Sequence, residues 1–185
     1  MTNSAERPPL KMMVYASLFA ALTVVGAYIA IPFPLSPVPI VLQNLFVLLA
    51  GLLLGKKWGA ASMAIYLLAG AVGLPVFAGG TGGIGHFAGP TGGYLIGFVL
   101  AAFVAGALGN KKNASTLSDV LAMTAGSLVI YATGIFWLNL YTGFSLSKTI
   151  MLGMAPFIIG DVLKITAAVF IAKKLRPVIH LHDYH

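Results

Sequence analysis

Residues 12–31 form a run of twenty without a single charged side chain. Such a run has few destinations. At about 1.5 Å of rise per residue, it reaches the ~30 Å depth of a bilayer's hydrocarbon core as a helix. In hydrocarbon every backbone N–H and C=O needs an internal partner, and a helix supplies one. The run exceeds the apolar region of a signal peptide and lacks a clear A-x-A cleavage site. It therefore reads as a retained helix.

The pattern recurs along the chain. Residues 38–54 hold Gln43 and Asn44 but no charge, and residues 58–74 and 92–109 are uncharged. Residues 117–141 carry Asp119 and Asn139, and residues 150–172 carry Asp161 and Lys164. The breaks are abrupt: Pro32, Pro34, Pro37 and Pro39, then Lys56 and Lys57, then a glycine-rich stretch 75–91. Proline fixes φ and removes a donor. Only 8 % of the 185 residues are charged and 59 % are hydrophobic, whereas soluble domains are about a quarter charged. Lipid must cover most of the surface. The expectation is an all-α, integral membrane bundle of six transmembrane helices, with residues 1–185 as one transmembrane domain.

The basic residues orient it. With the N-terminus inside, nine of them fall on inner segments: Arg7, Lys11, Lys56, Lys57, Lys111, Lys112, Lys173, Lys174 and Arg176. The outer loops hold Lys148, and Lys164 lies within a helix. Both termini are expected in the cytoplasm and loop 75–91 outside, in a bacterial-type cell (plasma) membrane. This asymmetry accounts for the net charge of +7 without nucleic acid.

Asp161 and Lys164 stand three apart, on one helix face. Ionisable groups in a membrane face a bundle interior or a wet cavity. The plain alternative is an ion pair that only holds helices together. With Pro156 in the first turn, Asp161 lies roughly 8 Å and Lys164 roughly 12 Å further along the helix. Gln43, Asn44, Tyr94 and Asn139 fall at similar depth. Each alone suits a helix–helix hydrogen bond; together they point to an outward-facing polar pocket. Residues 79–93 contain eight glycines in fifteen, so backbone there can approach a ligand or fold as a lid. The bland reading is a flexible outer loop. Gly80 and His86 are its candidate ligand contacts, although a lone histidine also suits a bystander role. Gly80, Gly82 and Gly85 match G-x-G-x-x-G, but no strand precedes them and no acidic ribose partner follows.

Other chemistry is thinly supported. There is no cysteine, and His180, His182, Asp183 and His185 read as a tail rather than a metal site. G-x-x-x-x-G-K-[ST], H-E-x-x-H and G-x-S-x-G are absent. No cofactor is expected in this chain, and any use of ATP falls to a partner. Ala16-x-x-x-Ala20 permits close helix approach, either to a partner or within the bundle.

Ala16-x-x-x-Ala20, the GGTGG…GPTGGYLIGF stretch and Gly160-Asp161-Val162-Leu163-Lys164 together resemble the BioY family. These are the biotin-specific substrate-binding subunits of energy-coupling factor transporters. The resemblance spans essentially the whole chain. It implies a six-helix fold that captures biotin from outside with high affinity. It also implies a transmembrane coupling subunit, facing Ala16 and Ala20, and two cytoplasmic ATPase subunits. A ureido ring offers two N–H donors and a carbonyl; Asp161 accepts and Lys164 donates. Lys164 can instead pair with the valerate carboxylate. The glycine loop is expected to close over the ligand. The rivals are a proton-coupled secondary transporter using Asp161, a membrane-embedded enzyme, and a binding subunit for another vitamin.

Overall fold

The computed structural model describes residues 10–32, 34–109 and 115–180. Lys111, Lys112, His182, Asp183 and His185 lie outside them, as does Arg7. The elements run α1 (Leu10–Tyr28), β1 (Ala30–Ile31), β2 (Ile40–Val41), α2 (Gln43–Ala71), α3 (Gly85–Ala88), α4 (Gly92–Leu108), α5 (Thr116–Thr142), α6 (Leu146–Gly153), a 3-10 turn (Ala155–Phe157) and α7 (Ile158–His180). β1 and β2 pair antiparallel, Ala30 opposite Val41 and Ile31 opposite Ile40. By length and composition α1, α2, α5 and the stretch Leu146–Ile179 suffice to cross a membrane, and α4 is a shorter apolar helix.

Helix α2 is two limbs. Gly55 sits at φ 82°, ψ 174°, a conformation essentially confined to glycine. The chain reverses there. A Cβ on Gly59 would lie 2.7 Å from the Gly51 Cα, and Gln43 Nε2 donates to the Tyr66 hydroxyl. Limbs 43–54 and 56–71 therefore run antiparallel, and among the described residues the bundle has six helical segments of twelve residues or more. Lys56 and Lys57, expected as a link between helices, open the second limb.

The other boundaries differ for local reasons. A helix is expected over 38–54, but Pro37 and Pro39 lead into the extended pair Ile40–Val41, and α2 begins at Gln43. The run 12–31 ends its helix at Tyr28, where Ala30 and Ile31 pair with β2. The run 150–172 is broken by the 3-10 turn, which has Pro156 in its first positions. α7 then extends to His180.

Beyond Gln43 and Asn44, limb 43–54 is apolar all round, and Leu48, Leu49, Leu52, Leu53 and Leu54 are each at most 2 % exposed. A helix of that pattern belongs in the middle of a protein. α4 packs on it so closely that a Cβ at Gly51 would meet the Ala102 carbonyl at 2.4 Å. Outward, α1 presents Val14, Leu18 and Val25, suited to lipid.

Ala16 and Ala20 do not face outward. They are 0 % and 6 % exposed, and Ser62 Oγ donates to the Ala16 carbonyl at 2.7 Å. The close approach these alanines permit is used by α2 within the chain. The exposed side of the same turns carries Ser17 and Ala21.

At the end of the bundle bearing Lys173 and Lys174, Asp119 is fully buried. Arg176 grips it with both terminal nitrogens, Nη1 to Oδ2 at 3.1 Å and Nη2 to Oδ1 at 2.9 Å. This fork ties the start of α5 to the last turns of α7. Removing one partner strands the other charge in a dry site. Asp119→Asn is expected to cost about 3–5 kcal/mol. In thermal unfolding in detergent, the apolar pair Asp119→Leu with Arg176→Met should lose less than Asp119→Asn alone.

Candidate functional site

At the opposite end lies a cavity of about 590 Å3, within the range of small-molecule sites. The proline hairpin contributes Pro37 and Pro39, the first turn of α2 contributes Gln43 and Asn44, and the glycine loop contributes His86 and Thr91. Tyr94 and Phe98 of α4, Tyr131 of α5 and Lys164 of α7 complete the walls. The lining is mostly apolar with a few placed polar groups, as such pockets usually are.

Asp161 is not itself a wall. It stands behind Lys164 and Tyr131, 6 % exposed. Lys164 Nζ donates to its Oδ1 at 2.9 Å. The Tyr131 hydroxyl donates to Oδ2, and Ser127 Oγ reaches the same oxygen at 3.5 Å. A carboxylate with several donors is what makes a buried charge tolerable. The network joins α7 to α5 and aims Lys164 at the cavity.

The sequence-derived residues divide. Gln43, Asn44, His86, Tyr94 and Lys164 line one cavity, and Asp161 braces it. Asn139 does not reach it: its Nδ2 donates to the Phe144 carbonyl at 2.7 Å and to Thr149 Oγ1 at 3.1 Å, closing the turn from α5 into α6. Gly80, at φ 73°, is a turn residue, and a Cβ on it would meet the Tyr28 ring at 3.1 Å. Tyr94 faces the cavity while its hydroxyl donates to the Gly153 carbonyl at 2.9 Å.

The glycine loop is fastened rather than free. Phe77 is 2 % exposed and packs edge-on against Tyr66, Phe87 and His86, with ring centroids 5.7, 5.8 and 5.5 Å away. It fills a notch that exists because residue 70 is glycine: a Cβ there would lie 2.0 Å from the ring. Tyr66 donates to the Val76 carbonyl at 3.0 Å, and Gly83 N donates to the Gly70 carbonyl at 2.7 Å. On the far side Trp137 Nε1 donates to the Gly89 carbonyl at 2.9 Å. The loop is a wall with fixed attachments at both ends.

Tyr131, Tyr66 and Phe77 were not singled out from sequence. Tyr131 stands thirty residues from Asp161, and no local spacing links them. The available signal was a polar tip in mid-helix, on the α5 face that also carries Ser127. Among the described residues no group of three metal-binding side chains comes together.

A multi-pass helical bundle with an apolar, polar-tipped cavity near an end is a membrane-embedded solute-binding protein. The BioY family model matches residues 1–180, and the chain belongs to that family. It is 46 % identical over 167 residues to the biotin transporter BioY of Thermotoga maritima, covering 90 % of this chain and 96 % of that protein. It is 48 % identical over 166 residues to the probable biotin transporter BioY of Pyrococcus horikoshii, with the same coverage of 90 % and 96 %. The crystal structure of an S-component for biotin from an ECF-type ABC transporter superposes with a TM-score of 0.84 at 31 % identity, over 95 % of this chain and 94 % of that one. The family is one of transport components, not enzymes.

Tyr131→Phe removes a donor to the buried Asp161 carboxylate. It is expected to cost about 1.5–3 kcal/mol, read as a lowered unfolding midpoint in detergent.

Proposed function

We propose that this protein is the biotin-binding subunit of an ATP-driven vitamin transporter, and that its cavity is the biotin site. The observation that carries the reading is Lys164, held by Asp161 at 2.9 Å, projecting into an apolar cavity in a chain whose relatives are named for biotin. The ring system of biotin is apolar with a ureido edge of two donors and one acceptor. Lys164 supplies a donor to the ureido carbonyl. The Tyr131 hydroxyl oxygen and the Asn44 carboxamide supply acceptors. Phe98 and the prolines face the thiophane ring and the valerate chain.

The charge distribution supports the cavity end outside and both termini in the cytoplasm of a bacterial-type plasma membrane. Biotin then enters from outside. ATP is hydrolysed by two cytoplasmic ATPase subunits, joined to this chain through a transmembrane coupling subunit. The exposed face of α1, with Ser17 and Ala21, suits contact with that subunit better than the buried Ala16 and Ala20.

Calorimetry of biotin binding to the purified protein tests this. Wild type is expected to bind tightly, and Asp161→Asn and Lys164→Ala are expected to weaken binding roughly 30- to 100-fold. Wild-type affinity in both variants would make the pair structural only. A folded wild type that takes no biotin would sink the reading.

A further inference from the structure

We propose that His86 reads the carboxylate of the ligand, leaving the Lys164–Asp161 pair to its neutral ureido ring. The inference rests on the biotin reading above and settles which end of the molecule faces which wall.

Biotin has two polar ends of different charge, and the cavity has two different places to put them. At Lys164 the positive charge is opposed by Asp161 2.9 Å away. A carboxylate drawn to Lys164 is repelled by Asp161 a short distance behind it, so the net attraction is small. The two side chains are 11 % and 8 % exposed. Stripping water from an ionised carboxylate is far more costly than stripping it from a neutral amide-like group. A ureido ring suits this place, because its carbonyl accepts a hydrogen bond from an N–H that Lys164 does not give to Asp161. A carboxylate does not.

The other cavity-lining side chain able to carry positive charge, among the described residues, is His86. No side-chain hydrogen bond engages its imidazole there. Its ring is nevertheless placed, edge-on to Phe77 at 5.5 Å and 65°, and Phe77 is locked by Tyr66, Phe87 and the Gly70 notch. A donor held in position but not used within the protein is preorganised for a ligand. His86 is also only half-buried, so a carboxylate beside it keeps part of its hydration. The imidazole N–H donates to a carboxylate oxygen, and in the protonated ring the bond is charge-assisted. Leu95, Phe98 and Phe157 leave apolar surface for the aliphatic chain.

The test pairs two ligands with two residues. Biotin and biotinamide, its neutral isostere, are titrated by calorimetry into wild type, His86→Ala, His86→Gln and Lys164→Ala. His86→Ala is expected to weaken biotin about tenfold while changing biotinamide by no more than about twofold. His86→Gln keeps an N–H donor and should recover part of the loss. Lys164→Ala should weaken both ligands alike. Equal losses of both ligands in His86→Ala, or no loss of either, would overturn the assignment. So would a Lys164→Ala variant that loses biotin but keeps biotinamide. A wild type that binds both ligands beside an unaffected His86→Ala removes this inference alone. A folded wild type that binds neither removes the biotin reading and this with it. If neither histidine variant folds, the imidazole is a structural group and the assignment fails.

Discussion

A carboxylate inside a helical bundle must be surrounded by donors, and the position of Asp161 organises everything near the cavity. Lys164, Tyr131 and Ser127 converge on its two oxygens. Those bonds hold the first turns of α7 against the middle of α5 and set the direction in which Lys164 points. The cost of burying the charge is met by hydrogen bonds that also position Lys164 on the cavity wall. Asp119 and Arg176 repeat the device at the other end of the same two helices. Between these two fastenings α7 buries Ala168, Val169 and Ala172, small apolar side chains that lipid would accept almost as readily. Apolar burial alone is a weak force between helices in a membrane. The polar ties therefore give α7 its place.

Glycine supplies the complementary device on the other side of the bundle. Where α2 and α4 cross, the absence of a side chain at Gly51 lets backbone meet backbone. At Gly70 the same absence makes room for a whole aromatic ring. Phe77 in that notch converts a stretch of glycines into a fixed wall, and His86 inherits its position from Phe77. A loop that looks mobile in composition is thus ordered by one aromatic residue and a handful of backbone bonds.

Much of this was legible in the sequence. The six apolar runs gave the helices, and the i, i+3 spacing gave the Asp161–Lys164 pair. Depth along each run brought Gln43, Asn44 and Tyr94 to one level, and they meet at one cavity. The same reasoning misplaced Asn139, because a residue near a helix end is as well placed to close the next turn as to face a pocket. It gave Gly80 a ligand role where the chain needs a positive φ. It could not choose between inside and outside for Ala16 and Ala20, since small residues serve any close contact. Tyr131, Arg176 and Phe77 were illegible for a common reason. Their partners are far away in sequence, and only the packing of α5, α7 and the loop brings them together.

The reversal at Gly55 has a consequence for where the solute waits. Limb 43–54 rises only about 18 Å from that corner before Gln43 meets the cavity, while the hydrocarbon layer is about 30 Å deep. With the Gly55 corner at the cytoplasmic face, as in the orientation proposed above, the floor of the cavity is sunk by roughly 12 Å below the plane that a full-length helix would reach. A molecule resting there has already been carried through more than a third of the insulating layer without any moving part. What remains for an energised step is about 18 Å, the part of the barrier that limb 43–54 itself spans.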